Sequence, residues 1–98
     1  MNGLQTLQRL LEINAVWAKG RPIPGFSPDI WRWDSHGSVI RRSDYGDCNS
    51  EYGWEIDHIW PASLLGSEGL ENKQPLNWRN NRSKGDNVYG GLGSLYGG

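Results

Sequence analysis

The chain has 98 residues, 36% of them hydrophobic, with 10 Lys and Arg against 11 Asp and Glu and a formal net charge of −1 at pH 7. That length suits one folding unit with a modest core, and the charge leaves no bulk positive field, so any phosphate-binding surface has to be local. Cys48 is the single cysteine, which excludes an internal disulfide and a zinc site built from paired cysteines, and no apolar run approaches membrane-spanning length. A soluble, cytoplasmic protein with no membrane partner is therefore expected. Six tryptophans supply much of the apolar surface that so short a chain would otherwise lack, so aromatic packing should carry much of the stability.

Taken in chain order, the first predicted element is a helix over 4–18. Leu4, Leu7, Leu10, Leu11, Ala15 and Ala18 recur at three- and four-residue intervals, the pattern of one buried face. Asn2 can cap it, and Gly20 with Pro22 and Pro24 ends it and forces a loop. Residues 29–33 and 38–42, rich in Trp, Ile and Val, read as a β-hairpin about the turn 34–37, with His36 as a turn residue. The polar stretch 43–53 reads as loop. Apolar and polar residues alternate over 54–59, as on a half-buried strand, and Pro61 stops it. A loop with Gly66 and Gly69 as flexible points leads to a brief strand over 74–76. Asn77 then caps a short helix through Lys84, and Gly85 stands where helices commonly end. Residues 87–98 read as a flexible Gly-rich tail, leaving 1–86 as a single domain with its core motif in 53–86.

Three segments of that motif carry chemistry. Asp57 and His58 follow Glu55 and Ile56; Asn72 lies fourteen positions after His58; Asn81 follows nine positions later and opens the run Asn81, Arg82, Ser83, Lys84, Gly85. Phosphodiester cleavage needs a nucleophile made from water, neutralisation of the charge developing on the phosphate, and stabilisation of the leaving oxygen. An imidazole, with an ordinary pKa of about 6.5, can take the proton from water. The side-chain oxygens of Asp57 and Asn81 are hard ligands suited to Mg²⁺ or Mn²⁺, and the amide of Asn72, donor and acceptor at once, can tie two backbone segments together. Asp57 and His58 would point to opposite faces of a regular strand, so the strand must end or twist there. Lys73, Arg79, Arg82 and Lys84, with Arg32, Arg41 and Arg42 on the hairpin, are candidate phosphate contacts, while Asp44, Asp47, Glu51 and Glu55 can cancel the total charge without covering the same face. The tryptophans can stack on bases or pack the core.

The ordered set of Asp57, His58, Asn72 and Asn81 resembles the signature of the HNH endonuclease family. The resemblance implies an α+β domain with a ββα-metal (His-Me finger) core, here accompanied by a β-hairpin and an N-terminal helix. It assigns His58 as general base, Asn72 as the residue steadying the loop, and Asp57 and Asn81 as ligands of one divalent ion. Asn81 stands where many relatives have His, an H-N-N variant. Asn80 competes for that position, but the following Arg-Ser-Lys-Gly favours Asn81. The implied substrate is DNA, cut to 5′-phosphate and 3′-hydroxyl ends one strand per site. The resemblance also leaves room for a homodimer, and for the alternative of a catalytically weak DNA-binding or recruiting subunit of a larger packaging or restriction complex.

Overall fold

A computed structural model describes residues 2–85, so the tail expected over 87–98 lies outside the described residues. Helix α1 runs Gly3–Trp17, and Asn2 caps it: its side chain accepts from the Gln5 backbone N–H while the Gln5 side chain reaches back to Asn2. The buried face is not the leucine stripe. Leu4, Leu7, Leu10 and Leu11 are 50–65% exposed, whereas Ile13, Val16 and Trp17 of the last turn are buried. Only that last turn reaches the core, so the periodicity identified a helix but named the wrong face.

A three-stranded antiparallel sheet follows, made of β1 (Arg21–Pro22), β2 (Trp31–Trp33) and β3 (Val39–Arg41), in that order. The hairpin is present as expected. The segment after Gly20, read as loop, adds the edge strand β1 through the pairing Arg21↔Trp33, an edge being where a sheet accepts proline. Asp34 in the hairpin turn is 2% exposed. Its Oδ1 accepts from the N–H groups of His36 and Ser38 and its Oδ2 from Asn77 N–H and Asn80 Nδ2, so this buried carboxylate ties the hairpin to the C-terminal segment.

The second sheet pairs β4 (Trp54–His58) with β5 (Lys73–Asn77), antiparallel and in regular register from Trp54↔Asn77 to His58↔Lys73. Helix α2 (Trp78–Lys84) starts directly from β5, with Asn77 accepting from the Arg79 N–H, and closes on Gly85 at φ 51°, where a residue without Cβ is required. The result is an α+β domain: two strands and a helix in series, joined by a long loop, beside the added hairpin sheet and α1. Trp54 sits at the centre with no exposed surface, its ring 5.3 Å from Trp17 and 5.0 Å from Tyr45, and Ile40 and Val16 complete the cluster. Aromatic packing thus joins α1, both sheets and the 43–53 loop. Among the described residues no helix is long and apolar enough to cross a membrane.

Candidate active site

Alternation along β4 sends Glu55 and Asp57 towards α2 and His58 to the opposite side. The strand ends at His58, and there Asp57, His58 and Asn81 line one cleft of about 270 Å³. The opposition of neighbouring side chains is thus met at a strand end, without distortion of the ladder.

Asp57 is 6% exposed. Its Oδ2 accepts from Gln74 Nε2 at 2.9 Å and from the Lys84 ammonium at 2.7 Å, which also donates to the His58 carbonyl at 2.7 Å. Among the described residues Asp57 Oδ1 accepts no hydrogen bond. One turn earlier on α2, Asn81 donates through Nδ2 to Glu55 Oε1 at 3.0 Å, and that oxygen also accepts from Arg82 at 2.9 Å. With its nitrogen held by Glu55, the amide leaves Oδ1 as its open ligand atom. Asn80, one position earlier, donates instead to Asp34 and Ser38 on the far side of α2, which leaves Asn81 in the cleft.

His58 Nε2 lies 3.0 Å from Glu68 Oε1. A carboxylate only accepts, so Nε2 carries the hydrogen of this contact, and in the neutral imidazole Nδ1 is then the nitrogen with the lone pair. Glu68 was not picked out in the sequence, where a glutamate in a polar loop carries no signal.

Asn72 is buried and acts as a clamp. Its Oδ1 accepts from Trp60 N–H at 2.8 Å, and its Nδ2 donates to the carbonyls of Trp60 and Ser67 at 2.8 and 2.7 Å. These bonds gather the two ends of the 60–72 loop, and Ile59 N–H donates to the Asn72 carbonyl, so the backbone just beyond His58 is fixed. Gly66 is not a hinge: a Cβ there would stand 1.9 Å from the Trp60 carbonyl oxygen, so close backbone approach dictates glycine. Ser67 donates to Glu71 at 2.5 Å, and this hydrogen bond holds the Glu71 carboxyl below its ordinary range.

The cations are distributed differently from the expectation. Lys73 is not in the loop but opens β5, 8% exposed, with its ammonium 2.5 Å from Glu12 of α1. Lys84 is buried against Asp57, and Arg32 and Arg42 turn to protein oxygens at Gly20 and Asn14. Arg79 and Arg82 are exposed, Arg82 being paired with Glu55. The acids do not all avoid the site either: Glu55 lies against Asn81. A second cleft, of about 580 Å³, opens between α1 and β4 and is lined by Glu12, Glu55, His58, Glu68 and Asn81, so His58 and Asn81 border both clefts. Among the described residues no three His, Cys, Asp or Glu side chains form a metal cage. The donor set is an Asp–Asn pair, each with one oxygen open, and hard oxygens of this kind fit a divalent ion that takes its other ligands from water and phosphate.

Two antiparallel strands, a clamped loop and a helix, with a histidine at the strand end and an asparagine on the helix lining one cleft, define a ββα-metal domain. Residues 46–88 match the family model of the HNH endonucleases, a stretch that takes in all three elements and all four motif residues. Over this segment the chain is similar to the HNH endonucleases, a family of nucleases that generally use a divalent metal ion. No curated protein and no solved structure matches the chain.

Proposed function

We propose that the chain is a metal-dependent endonuclease that hydrolyses DNA phosphodiester bonds, one strand per site, with His58 as general base and Asp57 and Asn81 as metal ligands. The observation that carries the reading is the convergence of these three side chains, two from a strand and one from a helix, on a single cleft. Asp57 Oδ1 and Asn81 Oδ1 would hold one ion, and their hardness favours Mg²⁺ or Mn²⁺. When bound, that ion supplies Lewis-acid neutralisation of the charge that develops on the phosphate and the leaving oxygen.

The chain's own residues do the rest. His58 Nδ1 accepts a proton from the attacking water while Glu68, on Nε2–H, holds the tautomer and steadies the imidazolium that forms. Lys84 occupies the other oxygen of Asp57 and so restricts that carboxylate to one ligand direction. Asn72 fixes the loop from which Glu68 reaches His58. Arg82, exposed on α2, shares Glu55 Oε1 with Asn81 and so sets positive charge beside the proposed ligands.

Nicking of supercoiled plasmid with Mg²⁺ or Mn²⁺ tests the reading. The wild type is expected to nick, and His58→Ala to lose nicking while keeping its circular dichroism spectrum and melting temperature. Unchanged nicking by His58→Ala would remove His58 as the base. DNA binding without cleavage across several divalent metals would favour a binding or recruiting role instead.

A further inference from the structure

Most cations among the described residues are consumed inside the molecule. Arg9, Lys73, Arg82 and Lys84 hold carboxylates. Lys19, Arg32 and Arg42 hold backbone or amide oxygens. Three remain, Arg21, Arg41 and Arg79. All three are exposed, their guanidinium groups make no ion pair or hydrogen bond among the described residues, and each guanidinium lies over a tryptophan: Arg21 at 4.9 Å from the Trp33 centroid, Arg41 at 5.5 Å from Trp31, and Arg79 at 5.3 Å from Trp78.

Their placement follows from the strand register. Arg21 pairs with Trp33, and Trp31 with Arg41, and residues two apart share a face, so these four side chains stand on one side of the three-stranded sheet. The other side carries Ile40, with no exposed surface, and Arg32, bound to the Gly20 carbonyl, so the Arg–Trp side faces away from the core. Tyr52 meets Trp31 edge-on at 5.1 Å. Tyr52 and Val39 then border a cleft of about 300 Å³ that reaches Arg79 and Asn80 on α2. Glu51 lines the same cleft and is the acid on this rim; it forms no ion pair among the described residues.

We propose that this outer sheet face, with Arg79 at its far side, is a binding surface for single-stranded nucleic acid, separate from the hydrolytic cleft. The choice of polyanion rests on the nuclease reading. Three unneutralised guanidinium groups match backbone phosphates, and each that turns out to a phosphate uncovers the half-buried tryptophan beneath it, a plane on which an unpaired base stacks. A duplex presents its phosphates but keeps its bases stacked on one another, so the aromatic component selects the single strand.

The test uses the full chain in chelator, so that cleavage plays no part, with fluorescein-labelled oligo-dT and a labelled duplex as probes followed by anisotropy. The variant carrying Arg21→Gln, Arg41→Gln and Arg79→Gln together is expected to bind oligo-dT about tenfold or more weakly, and its slope of log affinity against log salt to fall by about 2, since each single-strand phosphate contact contributes roughly 0.7. Glu51→Gln is expected to tighten binding. Unchanged oligo-dT affinity and salt slope in the triple variant would overturn the proposal, as would a loss confined to the duplex. The outcomes separate the two readings: a protein that binds oligo-dT through these arginines but never nicks supports this surface and overturns the nuclease, and a nicking protein whose triple variant binds normally does the reverse.

Discussion

The Lys84 ammonium lies 2.7 Å from Asp57 Oδ2, and both side chains are only 7% exposed. A cation from the last turn of α2 is thereby set on the carboxylate proposed to hold a metal, and its second bond, to the His58 carbonyl, ties the helix to the end of β4. Removing one partner of such a buried pair strands the other charge and costs about 3–5 kcal/mol, a large part of the 5–15 kcal/mol typical of a domain. Lys84→Met is expected to lower the free energy of unfolding by about 3 kcal/mol in a urea titration. Lys84→Met with Asp57→Asn is expected to cost less than the sum of the single changes. Additive costs would show that the pair is not coupled.

Asn72 makes its three side-chain hydrogen bonds within the loop that carries Glu68 and follows His58. At about 1 kcal/mol for each neutral bond lost, Asn72→Ala should destabilise the domain by about 2–3 kcal/mol. If the clamp acts only by aiming the proposed base, His58, kcat for plasmid nicking should fall while KM changes little. A rise in KM with kcat intact would place Asn72 in substrate binding.

Legibility in the sequence followed the range of the interactions. Both ends of α2 could be read because Asn77 and Gly85 act within one turn of themselves, and β4 because alternation is local. The four motif residues were legible as an ordered pattern. The partners that make them a site were not: Glu68, Glu55 and Lys84 are common residue types, and their meaning arises only when β4, β5, the loop and α2 come together. Lys73 shows the same limit in reverse, since a lysine beside an expected active site reads as a phosphate contact until α1 brings Glu12 against it. The edge strand β1 escaped notice because two residues ending in proline carry no strand signal of their own.

The misread face of α1 yields a sharp contrast. Leu4, Leu7, Leu10 and Leu11 are at least half exposed, whereas Ile13 is 7% and Val16 0% exposed. Truncating a buried aliphatic side chain leaves a cavity and costs about 2–5 kcal/mol for Ile→Ala, while a surface change away from caps and pairs stays within about 0.5 kcal/mol. Ile13→Ala is therefore expected to lower the thermal midpoint by several degrees, and Leu7→Ala to leave it nearly unchanged in the same calorimetric scan. A comparable loss from Leu7→Ala would mean that the stripe is covered in solution.

Glu12 and Lys73 fasten α1 to β5, and the hydrogen bond from Lys73 is the main reason that the Glu12 carboxyl lies below its ordinary value of 4.5. A carboxyl whose pKa is lowered on folding binds fewer protons in the folded than in the unfolded state. Its contribution is therefore fully present above about pH 4.5 and is lost as the pH falls through the lowered folded value. Glu12→Gln should be less stable than the wild type near neutrality, and the two stabilities should converge on acidification below that point. Thermal melts of both proteins across the acid range check this, and a gap that persists at the lowest pH would show that Glu12 acts through packing and not through its charge.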